Sequence, residues 1–448
     1  MSQTQFQTLP QYVMEQDALG GSAADYLRLR GSNLLARTED YFRWSDARRQ
    51  SGFWPYSNAI EATPDREMRV ANDAGVAVSG LNFASQDYLS LSSHPKIRAA
   101  VQEALNVYGP HSAGSPMLQG NTKVSLELEG LIADTLQMKH VVLFPTGWAA
   151  GYGSIRALVR RNDHVITDAL AHNCLSEGMM FATRNIHRVR HLDMDAVADK
   201  LRQIRRQDYT NGILVVTEGL FSMDADSPDI VYLQELCDLH DATLLVDIAH
   251  DFGSLGPGGT GAIGIQKMLG NVDLVMGSFS KTFASNGGFL ATDSRAVKEY
   301  VKAYSASHIF SNALSPLQAN VVKTALEIVR SAEGDQLRAQ LLDAIQHLRT
   351  SLAQYGIDCF GNPSPIVPVP LGDEARARKT ARRAFENGLF ANLVEYPAVA
   401  KGNARFRMQV MAKHTREDAV QAAKIIHSCM QDAVDGAAPG DSRLHASL

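Results

Sequence analysis

The run Gly277-Ser278-Phe279-Ser280-Lys281-Thr282-Phe283-Ala284-Ser285-Asn286-Gly287-Gly288 sets one lysine between an apolar stretch and a pair of glycines. Val272, Leu274, Val275 and Met276 just before it read as a buried strand. A lysine ending such a strand would sit beside a phosphate-sized hollow lined by hydroxyls. Desolvation there lowers the amine's pKa, so that the free amine can attack an aldehyde. That chemistry suits a Schiff base with pyridoxal phosphate. The competing reading, a surface lysine after a strand, fits this run alone equally well.

Two further segments favour the first reading. In Leu244-Leu245-Val246-Asp247-Ile248-Ala249-His250-Asp251-Phe252-Gly253 an apolar strand delivers Asp247 at its carboxyl end, where ligands of open α/β sheets bind. A carboxylate there can pair with a pyridinium nitrogen and make the ring an electron sink. His250, a little further on, could reach the ring oxygen or Lys281. In Val142-Leu143-Phe144-Pro145-Thr146-Gly147-Trp148-Ala149-Ala150-Gly151 a strand breaks at Pro145, Gly147 allows close backbone approach, and a helix begins whose first N–H groups can bind phosphate. Asp247 precedes Lys281 by about thirty residues, one strand-helix-strand unit at usual element lengths.

The elements that must position these residues alternate. Val141 to Phe144, His164 to Ile166, Ile213 to Thr217, Thr243 to Asp247 and Val272 to Met276 read as strands, and Leu126 to Met138 and Asp195 to Arg206 as helices. Alternation of this kind predicts an α/β fold with a mainly parallel central sheet flanked by helices. The chain divides into an N-terminal segment (1–75), a large domain (76–325), a smaller α+β C-terminal domain (326–435) and a tail (436–448) expected to be disordered. The aromatic cluster Tyr41, Phe42, Trp44, Phe53, Trp54 and Tyr56 is expected to pack on a partner subunit. Pro365, Pro368 and Pro370 make the segment near Ile366 an edge strand at best. Phe406 to Met411 is extended, and Ala419, Ala422, Ala423, Ile426 and Met430 mark a final helix.

Composition excludes several classes. A formal net charge of -5 gives no reason to expect nucleic-acid binding. A hydrophobic fraction of 45% and a charged fraction of 20% are those of a soluble globular protein, and no apolar run reaches the length of a membrane helix. The basic runs from Arg202 to Arg206 and from Arg376 to Arg383 read as solvated helix faces, though the phosphates of coenzyme A could use one. The four cysteines, Cys174, Cys237, Cys359 and Cys429, form no metal-binding spacing and fit free thiols in a reducing, cytoplasmic compartment. The start, Met1-Ser2-Gln3-Thr4-Gln5-Phe6, has no signal-peptide character.

Read in order, further stretches join these: Asn82 to Leu91, Thr167-Asp168-Ala169-Leu170-Ala171-His172-Asn173, Thr217-Glu218-Gly219-Leu220-Phe221-Ser222-Met223-Asp224, Phe310 to Leu314, and Gly402 to Arg407. Together they resemble the α-oxoamine synthases, pyridoxal phosphate enzymes of the aspartate aminotransferase fold (fold type I). That family includes 8-amino-7-oxononanoate synthase, 2-amino-3-ketobutyrate CoA ligase and serine palmitoyltransferase. The resemblance runs from about Leu81 to about Cys429.

The resemblance implies a role for each matching residue. Lys281 holds the cofactor and removes the Cα proton, Asp247 faces the pyridine nitrogen, and His172 stacks on the ring. Gly147, Trp148, Ser278 and Ser280 hold the phosphate, and Ser222 and His250 the ring oxygen. Ser311 and Asn312 reach the neighbouring subunit's phosphate, so the unit is a homodimer with shared sites. Arg407 clamps the substrate carboxylate. Arg405 shares its face by spacing, and the family match makes Arg405 the structural one. The implied reaction joins an amino acid to an acyl thioester, carried by coenzyme A or a carrier protein, with loss of carbon dioxide, and yields an α-amino ketone.

Departures from the family pattern bear on the substrate. Ile248 stands where relatives have Glu, Ser125 replaces a histidine, Gln86 replaces Asn in the substrate region, and the loop Ala113 to Asn121 carries apolar Pro116, Met117 and Leu118. The last three suit a lipid-like or polyketide-like acyl group. Two other readings stay open: an aminotransferase or lyase on the same fold, which His172 and the Arg407 segment disfavour, and a catalytically silent partner subunit, which intact Lys281, Asp247 and His172 disfavour.

Overall fold

Thirteen strands organise the residues described by the structure, a computed structural model covering 18–435. Three come early: β1 (Ala59–Ile60), β2 (Glu67–Ala71) and β3 (Ala77–Phe83). Seven follow: β4 (His140–Phe144), β5 (His164–Asp168), β6 (Asn185–Val189), β7 (Ile213–Glu218), β8 (Thr243–Asp247), β9 (Leu274–Ser278) and β10 (Gly288–Thr292). The last three are β11 (Ile366–Gly372), β12 (Leu389–Val394) and β13 (Ala404–Gln409).

The middle seven form one sheet in the order β4-β10-β9-β8-β7-β5-β6. It is parallel except at β10, which runs antiparallel to both β4 and β9. β7, β9 and β10 are buried along their whole length, which is why they read as unbroken apolar runs. Period two still sorts their side chains. Val141, Leu143, Val215 and Val246 enter one core, while Val142, Phe144, Val216 and Leu245 enter the other. Helices Gly147–Leu158 and Asn173–Ala182 cover the second core, and Met194–Gln207 and Ile230–Leu239 lie over the first. The chain is thus an α/β fold with a mainly parallel sheet between helical layers.

The remaining strands form a second sheet, β1-β2-β3-β12-β13-β11, with β3 parallel to β12. β2 and β3 pair residue for residue from Glu67↔Leu81 to Ala71↔Ala77. The division at about residue 75 therefore falls in the turn of a hairpin whose far strand joins the C-terminal sheet. β11 is an edge strand, as its prolines require, since Pro368 and Pro370 have no N–H to offer a second neighbour. The strand expected over Val272 to Met276 lies two residues later, ending on Ser278. The tail 436–448 lies outside the described residues.

Part of the aromatic cluster already packs within the chain. Trp44 and Phe53 are buried within the chain, and only Tyr41 and Phe42 of the six are exposed. The attraction is Arg48, whose guanidinium carbon lies 5.0 Å from the Trp44 ring and 5.4 Å from the Trp54 ring. Arg48 and Arg378 both bond Glu395, at 2.8 and 2.7 Å, and Arg378 also donates to the carbonyls of Leu19, Gly20 and Gly21. This ion cluster fastens the N-terminal segment to the C-terminal sheet.

Candidate active site

Four parallel strands end on polar residues at one edge of the large sheet: Asp168 on β5, Glu218 on β7, Asp247 on β8 and Ser278 on β9. That edge is where ligands of open α/β sheets bind. A cavity of about 240 Å³ opens there, lined by Lys281, Asp247, His172, His250, Glu218 and Cys174 among others. A larger space of about 730 Å³ adjoins it, shares Lys281, Ser280 and Asn286 with it, and carries Gln86 on its wall.

Lys281 stands at the junction of the two spaces, in the loop between β9 and β10. Burial pushes its pKa below the ordinary value, against the pull of Asp247. Asp247 is itself buried, and burial raises its pKa while His172 and Lys281 oppose the rise. Of its two carboxylate oxygens only Oδ1 receives a hydrogen bond among the described residues, from the N–H of Ala249 at 2.9 Å. The other is free for a cationic N–H.

Gly147 and Trp148 are the first two residues of the helix Gly147–Leu158, so their N–H groups have no acceptor within it, while Thr146 caps the third. Ser278 closes the same corner, its hydroxyl 2.8 Å from that of Ser280. A Cβ on Gly147 would lie 2.4 Å from the Ser278 side chain, so only glycine allows this approach. Two N–H groups without a partner among the described residues, together with two hydroxyls, make an anion cup.

His172 caps the helix Asn173–Ala182 by accepting the Cys174 N–H on Nδ1 at 3.2 Å. Nδ1 therefore carries no proton, and the N–H of the neutral ring is Nε2. Its own backbone N–H donates to Glu218 at 2.6 Å. The histidine is thus a helix cap and a wall of the cavity at once. Cys174 also lines the cavity, and burial pushes its thiol pKa up. Glu218 faces Asp247 across paired strands, and burial and the Asp247 charge raise its pKa well above the carboxylate range. Sequence reasoning gave Glu218 no role. Its signal was the same as that of Asp247, a carboxylate ending an apolar strand.

Other expected site residues fall elsewhere. Ser222 is buried in the turn after β7 and is absent from the cavity's lining. Ser311 and Asn312 also stay outside it, beside the loop Ala113 to Asn121, where Ala313 bonds the Gly114 carbonyl. Met117 and Leu118 are exposed and line neither space. Ser125 completes a capping box with Thr122. Arg405 is committed to Asp224 at 2.6 Å and to the Met223 carbonyl, whereas the Arg407 side chain bonds only Gln409 among the described residues and lines neither space.

The Ser222 turn is held by His191, whose two ring nitrogens bond Asp168 at 3.0 Å and Asp226 at 3.1 Å. Burial opposes charge on this ring, but the two carboxylates outweigh it and raise its pKa to about 10. A raised histidine pKa stabilises the fold fully below the unfolded value of about 6.5, and that contribution is lost as pH rises through about 10. His191→Gln is therefore expected to lower the melting temperature at pH 6 to 8, with the gap to the parent closing above pH 10. Differential scanning calorimetry across that range checks it.

The chain matches the family model for aminotransferase class I and II over residues 78–426. It is 35% identical over 347 residues to 8-amino-7-oxononanoate synthase of Trichlorobacter lovleyi, covering 77% of this chain and 88% of that protein. It is 31% identical over 405 residues to the 4-hydroxy-2,2'-bipyrrole-5-methanol synthase PigH of a Serratia species, covering 90% of this chain and 61% of that protein. The chain thus spans only about three fifths of PigH, and 48% of a putative 8-amino-7-oxononanoate synthase 2 of Mycobacterium tuberculosis. Among solved structures, serine palmitoyltransferase of Sphingomonas wittichii superposes with a TM-score of 0.83 at 25% identity, covering 90% of this chain and 100% of that one. The chain belongs to the aminotransferase class I and II family, and within it to the α-oxoamine synthases, whose cofactor is pyridoxal 5'-phosphate. The site fits that cofactor: an anion cup for the phosphate, an unpaired carboxylate oxygen on Asp247 for the pyridinium, and a desolvated amine on Lys281 for the aldehyde.

Proposed function

We propose that the protein condenses an amino acid with an acyl thioester and releases thiol, carbon dioxide and an α-amino ketone. The observation that carries this reading is the convergence of Lys281, Asp247, His172 and the open helix start at Gly147 and Trp148 on one cavity. The names of the relatives support the reaction class. Bound pyridoxal phosphate supplies an electron sink for the pair left at the amino acid Cα. Lys281 takes the Cα proton, and desolvation keeps its amine available for that step. His172 offers its Nε2–H to the thioester or carboxylate oxygen. Arg407 grips the carboxylate through paired N–H groups. Asp247 would face the pyridine nitrogen, and burial together with the Asp247 charge favours the protonated form of Glu218.

The homodimer belongs to the same reading. Trp148 is 47% exposed, Phe310 85% and Leu118 81%, all apolar and all next to segments expected to bind cofactor or substrate. A second copy of the chain would cover them and bring its Ser311 and Asn312 to the phosphate. The unpaired cysteines support a reducing compartment such as the cytoplasm.

Mass spectrometry of products from amino acids paired with thioesters tests the reaction. Thiol and carbon dioxide released with an amino ketone support it, and a 2-oxo acid in their place overturns it. Arg407→Lys keeps the charge but loses the planar fork, at a cost of about 1.5–3 kcal/mol for one charge-assisted hydrogen bond. The KM for the amino acid is therefore expected to rise roughly 10- to 150-fold with little change in the KM for the thioester.

A further inference from the structure

A line of buried side chains joins Arg407, the expected carboxylate clamp, to His250 on the cavity wall. With the Gln409 amide turned so that donors meet acceptors, its oxygen lies 2.8 Å from Arg407 Nε and 3.3 Å from a terminal guanidinium nitrogen, and its nitrogen lies 3.3 Å from the Tyr88 hydroxyl. The Tyr88 hydroxyl lies 2.9 Å from His250 Nδ1. Gln409 and Tyr88 are fully buried, and His250 is buried but for its share of the cavity wall. Tyr88 follows β3, His250 follows β8 and Gln409 ends β13, so only the fold brings them together.

The line runs in one direction only. A guanidinium carries donors and no acceptor, so Gln409 must present its oxygen to Arg407. The amide NH2 then faces the Tyr88 oxygen, which accepts from it. The Tyr88 O–H is left to donate, and His250 Nδ1 must receive it. Nδ1 thus holds a lone pair, and the one proton of the neutral ring sits on Nε2. Burial, followed by the positive charges of Lys281 and Arg407, keeps His250 well below its ordinary pKa and hence neutral. Burial likewise keeps the Tyr88 phenol protonated.

We propose that Gln409 and Tyr88 are positioning residues of this site: they set His250 as an Nε2–H donor toward the cavity, hold the Arg407 fork in plane, and so couple the carboxylate clamp to the cofactor ring. This rests on the proposed reading of Lys281, His250 and Arg407. A carboxylate that pulls the guanidinium into line tightens the same chain of bonds that ends on His250. Neither residue needs to touch a reacting atom.

The test uses the full chain with ¹⁵N-labelled histidine, read by NMR with cofactor bound and again after its removal, with His250 assigned through His250→Gln. In the parent, His250 is expected to carry its proton on Nε2 in both states. Tyr88→Phe keeps the ring volume, and in it the Nδ1 signal is expected to move as the second tautomer appears. Gln409→Met removes a hydrogen bond to a charged group and is expected to weaken amino acid binding roughly 10- to 150-fold. Tyr88→Phe added to Gln409→Met is expected to cost no further affinity, because its route to Arg407 is already cut. A proton on Nδ1 in the parent, an unmoved His250 signal in Tyr88→Phe, or fully additive losses of affinity would each overturn the proposal. The tautomer is read without cofactor, so the relay can fail while cofactor attachment at Lys281 stands, and the reverse.

Discussion

Lys281→Ala is expected to abolish turnover and leave the fold unchanged. Lys281 has two tasks, anchoring the cofactor and moving the Cα proton. Loss of a positioned proton-transfer group alone costs about 10²–10⁴-fold. Loss of covalent anchoring adds to that, so residual product formation should lie below ordinary detection. The side chain stands between two open spaces, so its removal leaves no sealed apolar cavity. Circular dichroism and the melting temperature of the variant should match the parent. An exogenous primary amine is expected to restore a small part of the rate, because the pocket keeps the room the side chain leaves. Normal product formation by the variant would refute the assignment.

Glu395→Gln is expected to destabilise the protein by about 3–5 kcal/mol, the usual cost of breaking a buried ion pair from one side. Glu395 accepts from Arg48, Arg378 and Tyr56, and both arginine side chains are fully buried. An amide leaves two guanidinium groups close together in a low-dielectric setting with their charge uncompensated. The first region to loosen should be the segment from Leu19 to Tyr56, since Arg378 ties Leu19 to Gly21 and Arg48 ties Phe53. Denaturation followed by tryptophan fluorescence is a suitable probe, because Trp44 and Trp54 lie on Arg48. Adding Arg48→Met should recover part of the loss by removing one orphaned charge. An unchanged unfolding midpoint in Glu395→Gln would contradict this account of the cluster.

The parts of the site that sequence reasoning located share one cause. Asp247 and Lys281 follow apolar runs whose burial on both faces is written into neighbouring residues, and Gly147 opens a helix directly after a strand. Local pattern therefore carried them to the right edge of the sheet. Glu218 bore the same pattern and was passed over, because no family role drew attention to it. Tyr88 and Gln409 were illegible: Tyr88 reaches His250 across 162 positions of chain, and no local periodicity encodes that pairing. The alternation of strands and helices exposed the large sheet, whereas β1 to β3 escaped notice because β3 finds its parallel partner, β12, some three hundred residues on. The aromatic stripe was visible, but the buried ion cluster it packs on was not. Arg48, Arg378 and Glu395 form it, and charged residues so far apart in sequence read as solvated until their pairing is seen. Arg405 and Arg407 share a face by spacing, the resemblance assigned them different roles, and in the structure Arg405 bonds Asp224.

Borohydride reduction of the purified protein followed by peptide mapping tests the central claim most directly. A pyridoxyl group is expected on the peptide containing Lys281 and absent from the same peptide of Lys281→Ala. An adduct on a different lysine, or none in protein that makes product, would contradict the whole account of the site.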